Sequence, residues 1–431
     1  SSERAHGKPL WKQNRGITLV ALVITIIIII ILSTVTISTV FGDNGFIDAA
    51  KKTKEDAEDF VNTENDKMSG LLDEYANIMA EDSEIPPPDT RSEIEKARDE
   101  GTVFDTKTEL KDEHGNKVQV PEGFKIAADS GITIQQGVVI EDVSASTDEN
   151  VQGSQYVWIP VGRFVKDDGT SSAEIKLGRY TFSTTDGTTM EPLQYAENYT
   201  ASTVIETYYT ELIEYNEGNE SSGLDGRNAT AKDLKGFIDS VSANGGYYIG
   251  RYEASYASGA TNTTEVGNYA NCKAASKVST GYRTDTDGSM IYIQGTLWNF
   301  ITQPAASKVA INTYADSRSV KSDLMNSYAW DTAIVYIQEA GHTNYANETS
   351  VNTSLSNTGV NEDETCKIND MASNLVEWST EYSNLKNSNA TYPCVRRGGV
   401  YDQSTSYTMR RHLLISDNNS YGAGFRLVLY D

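Results

Sequence analysis

The sequence predicts an α+β protein in which an N-terminal membrane-spanning helix precedes a loop-rich domain of short strands and few helices. Three observations predict it. Residues 17–40 are an uncharged apolar block, and the segment after it is dense in Ala, Lys, Glu and Asp with apolar residues at near-helical intervals. From about Val118 the texture changes to short β-type runs separated by Gly, Asn, Asp, Ser and Thr, interrupted by a few helical patterns.

The apolar block comes first. At about 1.5 Å of rise per residue, roughly 20 apolar residues cross a bilayer, so residues 17–40 suffice, and they are too many for the core of a signal peptide. Lys8, Lys12 and Arg15 precede the block and no basic excess follows it at once, which orients the short N-terminus inward and the remainder outward. The expected location is the cell membrane, crossed once, with the C-terminal domain extracellular.

The junction Lys12-Gln13-Asn14-Arg15-Gly16 followed by Ile17-Thr18-Leu19-Val20 resembles the leader and first residues of a type IV prepilin. That resemblance implies a leader over 1–16, cleavage after Gly16 by a prepilin peptidase, a mature N-terminus at Ile17 and a pilin-like transmembrane helix over 17–42. It also implies other pilin subunits as partners. The family usually carries Glu at the fifth mature position, where this chain has Ala21. The charge pair that registers one subunit on the next is then missing, which departs from a major pilus subunit. The alternative is a plain single-pass anchor that is never cleaved.

After Gly42 and Gly45, where a kink or break is expected, residues 43–85 read as an amphipathic stalk helix with Phe60, Val61, Met68, Leu71, Leu72, Tyr75, Ile78 and Met79 on its apolar stripe. Pro86-Pro87-Pro88 ends it by removing N–H donors and fixing φ. A short acidic helix over 92–100 follows within a linker assigned to 86–118, and the main domain spans 119–431. Its clearest strands are 137–140, 156–161, 247–249 and 425–429. Helices are expected over 231–241, 303–315 and 320–340, the second with Pro304 in its first turn. Residues 166–235, rich in Thr, Tyr, Glu and Asn, read as a surface insertion.

Composition excludes some functions. Thirty-six basic against 61 acidic residues give a net charge of −25, a field that repels phosphate, so nucleic acid is not an expected partner. The three cysteines, Cys272, Cys366 and Cys394, are too few for a disulfide framework. Cys366 and Cys394 lie in one region and either pair in an oxidising exterior or stay as buried thiols.

Several segments resemble, in order, the formylglycine-generating-enzyme (sulfatase-modifying factor) family. Gln155-Tyr156-Val157-Trp158-Ile159-Pro160-Val161 and Gly246-Tyr247-Tyr248-Ile249-Gly250-Arg251-Tyr252-Glu253 are similar to its opening strands. Asn374-Leu375-Val376-Glu377-Trp378, Arg397-Gly398-Gly399 and Gly424-Phe425-Arg426-Leu427-Val428 are similar to its closing turn and strands. The resemblance implies a C-type-lectin-like fold over 119–431. The family usually has Trp at Val376 and Gly at Ser373. Trp158, Tyr248, Trp378 and Phe425 are expected as core anchors, and Glu253, Glu377 and Arg426 as loop-holding charges.

The chemistry of that family is not expected here. Counting from Gly399, the positions of its copper-binding thiols are Gln403 and Thr408, and neither ligates Cu(I) as a thiolate does. His6, His114, His342 and His412 show no ligand spacing, and no Gly-x-Ser-x-Gly elbow is present. The chain is therefore read as non-catalytic and without a cofactor. The resemblance allows structural calcium, but in Asp285-Thr286-Asp287-Gly288 the position requiring a bidentate Glu is Thr296, so this run reads as a polar turn.

The segment between Gly399 and Phe425 is full of Tyr, Ser, Asn and Asp, the composition that makes antibody loops adaptable binders. It resembles the variable C-terminal region of proteins diversified by retroelements. Tyr401, Asp402, Gln403, Ser404, Ser406, Tyr407, Asn418, Asn419, Ser420 and Tyr421 are the candidate ligand-binding residues, expected on one exposed face. The function expected is a surface- or pilus-displayed ligand-binding protein, an adhesin or receptor whose ligand is an external protein or glycan. The alternative is a structural minor pilin or pseudopilin of a type IV pilus or secretion machine.

Overall fold

The computed structural model describes residues 24–29, 70–72, 89–198, 209–211, 231–259, 269, 271–284, 293–360, 362–383, 394–414 and 420–431. The chain divides into two units, Ser1–Thr90 and Arg91–Asp431. In the first, residues 24–29 and 70–72 are helical, and Ile24, Ile26, Ile27, Ile28 and Ile29 are exposed. Among the described residues no helix is long and apolar enough to cross a membrane. The leader, the Gly16–Ile17 junction and most of the expected membrane and stalk helices lie outside the described residues.

The second unit opens with α1 (Glu93–Glu100), whose start is fixed by the Ser92 hydroxyl accepting from the Glu95 N–H and whose end is Gly101 at φ 62°. Ile94 and Ala97 bury its apolar side. The hairpin of β1 (Thr108–Lys111) and β2 (Lys117–Val120) follows and buries Leu110 and Val118. Residues 91–118, expected within a linker, are therefore part of the folded unit. A proline run and acidic residues mark a helix end, but buried Ile94, Leu110 and Val118 are core residues.

β3 (Phe124–Ile126), β4 (Val139–Asp142) and β5 (Gln155–Pro160) lie side by side, antiparallel. Two further hairpins follow, β6 (Gly162–Val165) with β7 (Ser172–Ile175) and β8 (Gly178–Phe182) with β9 (Thr189–Tyr195), and all but β6 lie in the expected surface insertion. Ile175, Leu177 and Tyr180 are buried, so the described part of this stretch packs on the core and is not a surface loop. Its weak periodicity reflects short strands with tight turns. After β10 (Tyr209–Glu211), α2 (Leu234–Asn244) is capped by the Asp233 side chain accepting from the Gly236 N–H at 2.8 Å. β11 (Gly246–Gly250) then returns beside β5, and a Cβ at Gly246 would stand 2.4 Å from the Trp158 ring.

β12 (Ser255–Ser258), β13 (Lys273–Ala275), β14 (Gly281–Tyr282) and β15 (Thr296–Leu297) form a small sheet in the order β13-β12-β15-β14. α3 (Gln303–Thr313) follows, capped by Thr302 with Pro304 in its first turn as expected. The helix expected over 320–340 divides: residues 321–324 are β16 (Lys321–Leu324), and α4 (Ser327–Glu339) starts only after Asn326 caps it. The strand forms because β21 (Leu427–Tyr430) offers a free edge to pair with. α4 is buried along nearly its whole length, with apolar side chains around most of its circumference and Asp331 paired to arginines.

The closing strands are β17 (Val376–Ser383), β18 (Cys394–Arg397), β19 (Arg411–Leu414) and β20 (Ala423–Phe425). Two larger sheets result. One runs β16-β21-β11-β5-β4-β3, and the other runs β10-β17-β18-β19 with β20 parallel to β17. The single strand expected over 425–429 is thus two strands in two sheets, with the chain crossing at the fully buried Arg426. Trp158, Tyr248, Trp378 and Phe425 are core residues as expected. Cys272, Cys366 and Cys394 are all buried thiols, so the pairing of Cys366 with Cys394 is not made. The architecture is α+β, mostly sheet and loop-rich.

Candidate functional site

Strand register places the charges of the second sheet. Trp378 pairs with Arg396 and Arg396 with His412, while Glu377 pairs with Arg397 and Arg397 with Arg411. Because successive side chains on a strand point to opposite faces, Arg396 and Arg397 cannot share an environment.

On the Arg397 face, charges are matched by charges. Arg397 binds Glu381 at 3.0 Å and also Asp331, Arg411 binds Glu381 at 2.7 Å and Asp331 at 2.5 Å, and Arg179 binds Glu381 at 2.9 Å. Burial alone would raise the Glu381 carboxyl, but the charges of Arg411, Arg397 and Arg179 outweigh it and hold it down to about 2. A second buried pair joins the closing turn to β20 and β21. Arg426 donates to Glu377 at 2.7 Å and to the carbonyls of Gly250 and Asn369, both at 2.7 Å. Glu253 accepts from the Leu375 N–H at 2.8 Å and from Asn374 Nδ2 at 2.5 Å. Asp370 and Asn374 stand at φ 65° and 62° in that turn, a region these two side chains tolerate better than most. Glu253, Glu377 and Arg426 therefore hold loops together, as the sequence suggested.

The expected ligand-binding residues separate into three groups. Tyr401 and Tyr421 come together, their rings 5.8 Å apart and nearly perpendicular. Tyr421 also meets Phe300 at 5.5 Å and Tyr282 at 6.2 Å, and the Arg283 guanidinium lies over Phe300 at 5.5 Å. Leu297, Leu355 and Leu375 form the floor beneath the half-buried rings of Tyr282, Tyr401 and Tyr421. Burial, with Tyr282 and Tyr401 nearby, pushes the Tyr421 phenol up to about 12, so it stays neutral. Asp402, Gln403 and Ser404 form the exposed rim, pinned where the Tyr401 N–H donates to the Asn374 carbonyl at 3.0 Å and the Asp402 N–H to the Asn352 carbonyl at 2.9 Å.

Two expectations need correction or limits. Ser406 is fully buried and accepts from Arg410 Nη1 at 2.6 Å, so it holds the loop and is not part of an exposed face. Polar composition cannot distinguish a loop-holding hydroxyl from a ligand-facing one. Tyr407 is half-buried and its backbone bridges Thr349, while Thr408 is buried with its N–H on the Glu348 carbonyl at 3.0 Å. Asn418, Asn419 and the run 285–288 lie outside the described residues. Ser420 is half-buried and accepts from Arg396 Nη1 at 3.3 Å.

Sequence reasoning missed Tyr282, Arg283 and Phe300, which reach the face from more than 100 residues upstream. It also missed Arg396 and His412, though the pair Arg396-Arg397 in a β-type run already signals two opposed arginines. Burial, then the charges of Arg396 and Arg410, push the His412 imidazole down to about 4. Among the described residues no group of three His, Cys, Asp or Glu side chains could hold a metal ion. No family model, curated protein or solved structure matches the chain.

Proposed function

We propose that the protein is a surface-displayed ligand-binding protein, and that its binding face is the aromatic cluster of Tyr401 and Tyr421 with Tyr282 and Phe300, rimmed by Asp402, Gln403 and Ser404. One observation carries the reading. Four half-buried aromatic rings from separate stretches of the chain converge at the surface, three of them over an apolar floor, beside polar loops fixed through backbone hydrogen bonds. Rigid aromatic anchors with an adaptable polar rim are the composition of strong binding surfaces. The ligand is an external protein or glycan.

The rest of the reading comes from resemblance. The prepilin-like junction at Gly16 and Ile17 supplies the membrane display and a prepilin peptidase as processing partner, and residues 119–431 are a C-type-lectin-like domain related to the formylglycine-generating enzymes. Gln403 and Thr408 at the copper positions support a domain without that catalysis. Intact-mass analysis of the native protein checks the processing: the mature chain should begin at Ile17, and one that starts upstream of Arg15 would contradict it. Binding is tested by applying the full chain in detergent to glycan and protein arrays. Saturable capture by a ligand, weakened by Tyr401→Ala, is expected. Capture that Tyr401→Ala and Tyr421→Ala both leave unchanged would place the binding elsewhere.

A further inference from the structure

Arg396 is only 7% exposed, and among the described residues it meets no carboxylate. Its Nη1 donates to Ser420 Oγ at 3.3 Å, its Nη2 to His412 Nδ1 at 3.0 Å, and its Nε–H finds no acceptor among the described residues. The guanidinium stacks over Trp378 at 5.4 Å. Stacking on an indole offsets part of the charge's desolvation, but leaves the in-plane donors unsatisfied. Its neighbour Arg397, one residue along the strand, has two carboxylates. The surroundings of Arg396 add positive potential instead. Arg410 donates to Gln403 Oε1 and Ser406 Oγ, both uncharged, and lies close enough to help push Arg396 down to about 10, after burial.

His412 completes the arrangement. A guanidinium only donates, so His412 Nδ1 must accept, and the neutral ring then carries its proton on Nε2. Among the described residues the set offers a buried guanidinium with an unused N–H, a second guanidinium that meets no acid and an imidazole N–H donor. Ser420 and His412, both half-buried, are the only side chains hydrogen-bonded to the Arg396 guanidinium among the described residues, and Ser420 directly precedes Tyr421 of the aromatic cluster. In a chain of net charge −25, long-range attraction cannot hold an anion, so short-range donors of this kind are needed.

We propose that Arg396, with His412 and Arg410, is an oxyanion-recognition subsite at the edge of the aromatic face, taking a carboxylate or sulfate group of the ligand. The oxyanion accepts the Nε–H together with the Nη2 N–H that runs parallel to it, the two-donor edge that suits guanidinium recognition of carboxylates, while Nη2 keeps its second N–H for His412. This deepens the binding-face reading and rests on it for the identity of the ligand, but the subsite is testable without that ligand.

The full chain in detergent micelles is titrated with sodium acetate and, separately, sodium sulfate, with sodium chloride holding ionic strength constant, while tryptophan emission is followed because Trp378 lies against Arg396. A saturable change is expected, weakened about tenfold or more by Arg396→Gln, since hydrogen bonds to charged groups carry that much. Arg396→Lys, which keeps the charge but not the fork, and Arg410→Gln, at a half-exposed position, should each weaken it by a smaller factor. They decide the matter if Arg396→Gln does not fold. Tighter acetate binding assigns a carboxylate, and tighter sulfate binding a sulfate. No saturable response in the wild type, or unchanged affinity in the folded Arg396 and Arg410 variants, overturns the subsite. Tyr401→Ala should leave the small-anion affinity nearly unchanged while lowering array capture, so loss of either signal alone separates the subsite from the binding face.

Discussion

Arg396 and Arg397 are adjacent residues on one strand, and the two faces of the sheet treat them in opposite ways. Arg397 shares Glu381 with Arg179 and Arg411, and Asp331 with Arg411, in a buried network where each of the two carboxylates serves at least two cations. Arg396 is nearly as buried, yet meets a hydroxyl, an imidazole and an indole. The difference teaches how to separate framework from site within one sheet. A charge that the fold needs is closed by its complement, whereas a charge left among neutral donors and acceptors still has capacity for something external.

Substitutions sharpen or break this contrast. The largest effect is expected at Glu381: Glu381→Gln leaves Arg397 and Arg411 to share Asp331 and takes from Arg179 the carboxylate it binds, and breaking a buried pair of this kind costs about 3–5 kcal/mol. Denaturant midpoints will show it, and a loss under about 1 kcal/mol would mean the network is not framework. The same carboxylate sets an acid limit. Its folded value is depressed from 4.5 to about 2, so its contribution is complete above about pH 4.5 and is lost as pH falls toward about 2. Acid titration of Glu381→Gln should lack that component of the wild-type loss.

Smaller effects follow on the other face. Tyr421→Ala removes ring contacts with Tyr401, Phe300 and Tyr282 and should cost about 1–2 kcal/mol of stability, each aromatic pair being worth about 0.5–1.5 kcal/mol at most beyond its buried area. Arg396→Met is expected to change stability by less than about 1 kcal/mol in either direction, because it strands no carboxylate and removes a buried charge. A loss comparable to that at Glu381 would erase the distinction between the faces. Ser404→Ala on the exposed rim should stay within about 0.5 kcal/mol.

Much of the framework was legible because it is local. The β-type runs in Gln155–Pro160 and Gly246–Gly250 marked strands, Thr302 with Pro304 marked a helix start, and Arg426 and Glu377 stood in segments already read as structural. What was illegible depends on distant partners. Residues 321–324 look helical until β21 pairs with them, and 91–118 look like linker until Ile94 finds a core. At the site, Tyr401 and Tyr421 stood out by composition, but Phe300 and Tyr282 reach them only through the fold. Ser406 has the right chemistry for a binding loop and the wrong burial.

The central claim, that the Tyr401 and Tyr421 face receives the ligand while the Arg397 face only supports it, is most directly tested by array capture of the full chain carrying both Tyr401→Ala and Tyr421→Ala. The measurement is made well below the melting temperature, with circular dichroism confirming the folded fraction. The account predicts a loss of capture of about thirtyfold or more, as expected when central aromatic anchors worth about 2 kcal/mol or more are removed. Capture equal to that of the wild type by an equally folded double variant would contradict it.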